Sequence, residues 1–517
     1  MKKEVKLNCI FEVGFHSERE YQNPPFENEL IAEFYSPSGK ILKIRGFWDG
    51  KRKWKLRFSP DEIGQWEWKT FPVNLDNGLI KSGSFICNQY TGKNPVYKNG
   101  SLKISKNGFY ISYQSEEPFF WLGDTAWNGV IRGDDNNWQK YLRIRRKQKF
   151  NVIQFVACHW RGDSEDEFGE KACDDEVSPI KINPRFFQRI DKRIFMINKS
   201  GLYAAPVILW TLLETDIGQK LSEEDAILLA KYIVARYDAC QCVWLLGGDG
   251  DYQKIGIERW KRIGREVFKF SHKRLATLHP CGQNWVGEEF RSEDWYSFIG
   301  YQSGHGDSDE HISWLVKGPP SLMWKHQIQK PVINLEPNYE NAIAYHHRTR
   351  FNAYHVRRAA YWSLFVSPPA GITYGHDSIW NWNFETGPSE GHGNWGDRLI
   401  EPWYIGLETE GISSMTLMKK IIEKFKWHTF KPFNAILMEQ PGDTDPKKFI
   451  AIVKSEDNIV LAYLPCGGEL KLKPDIKVTE VYLINPENGK KTKVKQGNNN
   501  LIKTYQEKDC LVTFKMA

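Results

Sequence analysis

The sequence predicts an α/β fold, a (β/α)8 barrel flanked by an N-terminal and a C-terminal β-sandwich. Three observations predict it. Between about residue 119 and residue 375, strand-like and helix-like segments alternate eight times in one continuous run. Outside that run, both ends of the chain consist of short alternating apolar segments punctuated by turn residues. Two of the central strands, 242–249 (CVWLLGGD) and 331–336 (PVINLE), run out into a carboxylate, Asp249 and Glu336. A chain of 517 residues is too long for one core and fits about three domains. The expected division is 1–95, 96–429 and 430–517.

The first 95 residues contain runs such as LIAEFYS and WKLRFS between turn signals at 37–39, 49–50 and 76–78, and Trp54, Leu56, Phe58, Trp66 and Trp68 alternate onto one aromatic face. That pattern reads as a sandwich. The barrel strands are expected at 119–124, 151–157, 202–209, 242–247, 275–279, 297–302, 331–336 and 370–375. Helical periodicity fills most of the gaps, at 137–148, 184–199, 222–237, 257–271, 309–316 and 349–365. An acidic, glycine-containing segment, 161–182, interrupts the rhythm after the second strand and reads either as a lid or as a solvated loop. From 430 onward FNAILM, KFIAIVKS, NIVLAYLP and VTEVYLI restore the sandwich pattern.

Charge implies no acidic partner: 71 basic and 64 acidic residues are mixed along the chain rather than blocked. The densest basic run, 140–149 (KYLRIRRKQK), reads as the solvated face of a helix, so no nucleic-acid partner is expected. No apolar signal region follows the N-terminal lysines and no stretch of membrane-spanning length occurs, so the expected location is cytoplasmic, without a membrane partner. Nine scattered cysteines without a CxxC pair are expected to be free thiols. The 21 Trp and 22 Tyr fit either a large aromatic core or the stacking faces that sugars require.

Barrel sites lie at the C-terminal strand ends, which nominates Asp124, His159, Trp160, Trp210, Asp249, His279, Gln302, His305, Glu336 and Tyr374. Glycosidic cleavage needs one carboxyl group to protonate the leaving oxygen and a second to attack the anomeric carbon or activate water. Asp249 and Glu336 are the pair placed to do so. Alternatives stay open for each: Asp249 in GGDGD as a helix cap or Asx turn, Glu336 as a buried ion-pair partner. GPSEG at 387–391 matches G-x-S-x-G but sits in a Gly/Pro-rich loop rather than a strand–turn–helix elbow. No HExxH, P-loop or GxGxxG occurs, so no metal and no cofactor is expected.

FFWLGDTAW, NPRFFQRIDKRIFMINKSGL, VWLLGGD, HPCG, SFIGYQSGHG, PVINLEPNYE and ITYGH, in that order, resemble the apiosidase-like glycoside hydrolases of family 140. The N-terminal segment FWDGKRKWKLRFSPDEIGQWEW is similar to a β-sandwich of unknown function found before such barrels, and the C-terminal segment to a collagen-binding-type sandwich. The resemblance implies a glycoside hydrolase with Asp249 as acid/base and Glu336 as nucleophile. The expected activity is retaining, exo-acting cleavage of a terminal sugar, a pentofuranosyl unit such as apiose or arabinose, from plant-derived oligosaccharides. The remaining residues nominated above, Asp124, His159, Trp160, Trp210, His279, Gln302, His305 and Tyr374, would bind the sugar. A non-catalytic carbohydrate-binding protein on the same scaffold is the alternative.

Overall fold

The computed structural model describes residues 3–160, 165–272, 274–388, 399–495, 497 and 500–517. Its centre is a parallel sheet of eight strands: β1 (Trp121–Thr125), β2 (Val152–Val156), β3 (Tyr203–Leu209), β4 (Trp244–Gly247), β5 (Ala276–Thr277), β6 (Ile299–Gln302), β7 (Val332–Glu336) and β8 (Gly371–Tyr374). All eight predicted strands are present. The ladder runs β5-β4-β3-β2-β1-β8-β7-β6. Closure is made by the bridge Ala276↔Tyr296 and by the Ser297 N–H donating to the Ala276 carbonyl at 2.7 Å. Thr277 Oγ1 adds a 2.6 Å bond to the Phe298 carbonyl across the same seam.

Each strand is followed by a helix: α1 (Asp135–Lys147), α2 (Pro184–Lys199), α3 (Glu223–Tyr237), α4 (Ile257–Phe268), the short α5 (Gly287–Phe290), α6 (Asp309–Lys317), α7 (Ala353–Phe365) and α8 (Glu410–Ile422). Their starts follow from local chemistry. Asp134 accepts the N–H groups of Asn136 and Asn137, Asn183 precedes Pro184 and accepts from Arg185, and Ser222 accepts from Asp225. The eighth helix has no counterpart in the sequence reading; its N-terminus is held by Glu340, whose Oε1 accepts the Gly411 N–H at 2.9 Å.

Two layers of side chains form the barrel. Trp121, Ala205, Leu245, Phe298, Ile333 and Leu335 fill the interior, while Leu122, Ile153, Trp244, Leu246, Ile299 and Ile372 point outward to the helices. The outward layer belongs to one continuous cluster with the helix faces, which is why the strands read as unbroken apolar runs rather than as alternation.

A five-stranded sheet built on Leu30–Tyr35 and Gly64–Pro72 packs against a three-stranded sheet built on Phe11–His16 and Lys53–Phe58 in the N-terminal module. Its core contains Trp54, Trp66 and Trp68, the predicted aromatic face. Arg57 from this module reaches Asp191 on α2, and Arg236 on α3 reaches back to Asp49. The C-terminal module is a six-stranded sheet with a two-stranded companion. Arg357 on α7 holds Asp509 through two bonds of 2.7 and 2.8 Å, and Trp362 donates to the Phe449 carbonyl. From residue 165, the loop after β2 is tied down by Arg189 to Asp166 and Glu170 and by Arg193 to Glu167; 161–164 lie outside the described residues.

All nine cysteines are free thiols. No described helix is long and apolar enough to cross a membrane. The basic run 140–149 is not wholly solvated: Arg145 is fully buried against Asp124.

Candidate active site

Strand parity decides which side chains reach the barrel mouth. In β6, Gly300 and Gln302 share the inward face. In β7, strict alternation from inward-facing Ile333 would put Leu335 inside and Glu336 outside. The ladder prevents this: Tyr301 pairs with Asn334 but Gln302 pairs with Glu336, leaving Leu335 as an extra residue. That bulge puts Glu336 on the face of Gln302, toward the mouth. It also displaces the Leu335 carbonyl from the ladder, and Gln154 of β2 compensates by donating Nε2–H to it at 3.1 Å across the barrel. Gln154 is in turn held by the Thr373 hydroxyl at 2.8 Å.

Glu336 meets His305, whose Nε2 lies 3.0 Å from Oε1. The other ring nitrogen, Nδ1, accepts the Tyr339 backbone N–H at 3.4 Å, so Nε2 carries the proton and donates it to the carboxylate. Glu336 Oε2 remains, 3.5 Å from His279 Nε2. The opposite nitrogen of the same ring, His279 Nδ1, is 3.4 Å from Asp249 Oδ1. His279 is completely buried between two carboxylates. Burial disfavours its imidazolium, but the facing Asp249 carboxylate and the charge of Glu336 outweigh that and raise its pKa above the ordinary histidine value. Gln302 Nε2 donates to Asp249 Oδ1 at 2.7 Å and to the Pro280 carbonyl at 3.2 Å, which fixes the aspartate.

Asp249 follows a turn that only glycine permits. A Cβ on Gly248 would lie 2.3 Å from Trp210 Cε3, so the indole packs directly on the backbone beside the carboxylate. From Trp210 an arc of rings lines the mouth: Trp380 to Trp160 at 5.4 Å, Trp160 to Trp210 at 6.1 Å, Trp210 to Trp127 at 5.4 Å, and Trp127 edge-on to His279 at 5.0 Å. Tyr339 packs on His305 at 4.5 Å between ring centroids; burial, then the Glu336 charge, drives its hydroxyl pKa far up, so it stays neutral.

Asp249, His279, Gln302, His305 and Glu336 are therefore brought into one cluster, with Trp160 and Trp210 along its arc of rings. His159 stands at the edge, its Nε2 4.0 Å from Asp216 Oδ1. Two predicted sugar-binding residues are corrected. Asp124 and Tyr374 pair in register and both face outward, away from the mouth. Asp124 is fully buried and accepts from Tyr141 and Arg145 of α1, while the Tyr374 hydroxyl donates to Glu340 at 2.5 Å. The strand-end reading took the terminal residue of β1 and β8 without counting parity back to Trp121 and Thr373, which are joined inside the barrel at 2.9 Å. The sequence reading also missed Trp127, Tyr339 and Trp380. Trp127 and Tyr339 lie three residues beyond Asp124 and Glu336 in motifs already singled out. Ser389 of GPSEG lies outside the described residues.

Among the described residues, Asp249, His279 and Glu336 are the set whose ligand-type atoms lie within 4.8 Å of one another in a geometry open to a metal ion. The imidazole, however, turns a different nitrogen to each carboxylate, an arrangement that suits a protonated bridge better than a cage. The same spacing puts two carboxylates on one reacting centre, which is what acetal hydrolysis requires.

A family model described as "Apiosidase-like, catalytic domain" matches residues 105–429, and one described as "Domain of unknown function (DUF5060)" matches residues 5–72. Among curated proteins none matches the chain. Among solved structures, a glycoside hydrolase family 5 protein from Bacteroides vulgatus ATCC 8482 superposes with a TM-score of 0.70 at 22% identity, covering 82% of this chain and 95% of its own. A protein assigned as a glycoside hydrolase from the same organism superposes with a TM-score of 0.72 at 16% identity over 100% of both chains. These two likenesses are likenesses of fold.

Proposed function

The chain belongs to the apiosidase-like family and is a glycoside hydrolase, and from that premise we propose that it is a retaining, exo-acting enzyme with Glu336 as nucleophile and Asp249 as acid/base. The observation that carries this reading is the spacing: carboxylate oxygens of the two residues lie within 4.8 Å. Retaining enzymes hold their carboxyl groups about 5–5.5 Å apart, whereas inverting ones leave roughly 6.5–9.5 Å for a water.

The hydrogen bonds support a division of roles atom by atom. Glu336 Oε1 is engaged by the His305 N–H, so Oε2 is the attacking oxygen. Asp249 Oδ1 accepts from Gln302, so the proton given to the leaving oxygen resides on Oδ2. His279, with a nitrogen toward each, balances the two charges through the cycle: it supports Glu336 as an anion before attack and Asp249 as an anion after the leaving group departs. Asp249 and Glu336 are only 8% and 6% exposed, which favours a narrow chain end over the middle of a polymer.

Trp160, Trp210, Trp127 and His159 would hold the terminal sugar by its C–H faces and hydroxyls. The family's description, apiosidase-like, supports a terminal pentofuranosyl unit such as apiose or arabinose on a plant-derived oligosaccharide as the substrate. The catalytic unit is taken as 96–429 between modules 1–95 and 430–517.

The test is the anomeric configuration of the first-formed product. Proton NMR during hydrolysis of an aryl pentofuranoside should show the starting anomer first. Asp249→Ala should keep activity on aryl glycosides with good leaving groups and lose about 10²–10⁴-fold on those with poor ones. Azide should then yield a glycosyl azide of retained configuration. An inverted first product, or an active Glu336→Ala protein, removes the assignment.

A further inference from the structure

Outside the barrel mouth, a crevice of about 310 Å³ lies where the N-terminal module meets α3, lined among others by Phe26, Trp48, Trp54, Val73, Tyr232 and Glu224. Its size is at the small end of the roughly 300–1,000 Å³ of small-molecule clefts. Phe26 is 60% exposed and Val73 65% exposed, which is costly display for apolar side chains in a module with a well-filled core.

The display is rigid rather than frayed. Asn28 and Asn74 staple the two loops that carry Phe26 and Val73: the Asn74 N–H donates to Asn28 Oδ1 at 2.9 Å, and Asn28 Nδ2 donates to the Asn74 carbonyl at 3.0 Å. Asp76, nearly fully buried, anchors the second loop by accepting from the Glu18 N–H and the Tyr21 hydroxyl, each at 2.9 Å. Asn23 docks the first loop on the barrel by donating to the Ile180 carbonyl at 2.9 Å. Loops fixed by this many bonds, and still turning a phenyl ring and an isopropyl group to solvent, are built as a binding surface.

The lining selects the ligand class. The rings of Phe26 and Trp48 form the accessible walls above the buried Phe47, Trp54 and Tyr232, and carboxylate, amide and ammonium groups of both signs (Glu27, Glu224, Asn74, Lys231) form the rim. Apolar faces with a mixed polar rim match the C–H faces and hydroxyl edges of a neutral sugar and select no net charge. The crevice runs along the outer flank of the barrel, from Glu224 in the first turn of α3 to Ala235 near its end.

We propose that this crevice is a second, non-catalytic carbohydrate site, which takes a short neutral oligosaccharide segment of the glycan whose end is processed in the mouth. The proposal rests on the chain acting on carbohydrate, not on the roles given to Asp249 and Glu336. A failure of those roles would leave it standing, because its readout is binding and not turnover.

The experiment uses the full chain carrying Glu336→Gln, run in affinity gels containing soluble arabinan, xylan or pectin. At least one glycan should retard it, and Phe26→Ala or Trp48→Ala in the same background should raise the apparent Kd about tenfold, as loss of an aromatic anchor does. The exposed Phe26 site makes the test independent of folding, with Tm checked by differential scanning fluorimetry. The proposal is overturned if no glycan in the panel retards the protein. It is also overturned if retardation survives Phe26→Ala and Trp48→Ala but vanishes with Trp160→Ala in the mouth. A dimer in sedimentation velocity that Phe26→Asp dissolves would overturn it in favour of a protein interface.

Discussion

Replacing Asp191 by Asn should loosen the N-terminal module from the barrel. The carboxylate on α2 accepts from Arg57 Nη2 at 2.7 Å and from Arg236 Nε and Nη2 at 2.7 and 2.8 Å, and both guanidinium groups are almost fully buried. Burial pushes the Asp191 pKa up, but the charges of Arg236 and Arg57 outweigh it and hold the group below the ordinary aspartate range. Removing one partner of a buried pair costs about 3–5 kcal/mol. Here each arginine keeps another acid, Asp49 at 2.9 Å for Arg236 and Glu12 at 2.7 Å for Arg57, so the low end, about 3 kcal/mol, applies. If module and barrel melt as one unit, an unfolding entropy of roughly 1.1 kcal/mol/K converts this to a Tm drop of about 3 °C. If the module of some 95 residues melts alone, roughly 0.2 kcal/mol/K makes it about 15 °C in a separate, earlier transition. Scanning calorimetry separates the two. Because the folded pKa is depressed, the stabilisation is present above the unfolded value near 4 and is lost as pH falls through the folded one. The gap between parent and variant should therefore close in acid. A variant that melts with the parent at neutral pH would refute the coupling.

Gln154→Met leaves the Leu335 carbonyl without its cross-barrel donor, at about 1–3 kcal/mol, and should lower kcat more than it raises KM because the bulge aims Glu336; unchanged kcat with lowered Tm would show that the bulge holds itself. Asp124→Asn should lower Tm and leave KM unaltered, since the side chain faces Tyr141 and Arg145; a raised KM at parental Tm would return Asp124 to the sugar site. For His279→Gln the sign follows from a raised folded pKa: the imidazolium stabilises fully below the unfolded value near 6.5 and is lost as pH rises through the folded one. The Tm difference from the parent should be greatest in mild acid and shrink in alkali, and the alkaline limb of kcat/KM should move; a difference independent of pH would exclude a charged bridge.

How much of this was legible in the sequence depends on the range of the interaction concerned. The strands of the barrel announce themselves through local composition, and so do Asp249 and Glu336, because a strand that ends at Gly247 or before Pro337 does so for backbone reasons carried by those residues. Which face a strand-terminal side chain occupies is also local, in the sense that it follows from a period of two, and counting from Trp121 would have turned Asp124 and Tyr374 outward. Yet the same count applied to Ile333 would have turned Glu336 outward and discarded the catalytic candidate. What separates the two cases is the bulge at Leu335, and nothing in PVINLEP distinguishes a strand with one extra residue from one without. The carbonyl that the extra residue displaces is taken up by the amide of Gln154, 181 residues away. Parity along a strand can be read from the strand, but a shift of parity is held by a partner on another strand. The aromatic arc follows the same logic: Trp127, Trp160, Trp210 and Trp380 come from four different βα connections and become a wall only when the barrel closes. The residues that perform chemistry at a barrel mouth are thus easier to name from sequence than to orient, because naming them uses the strand that carries them and orienting them uses all the others.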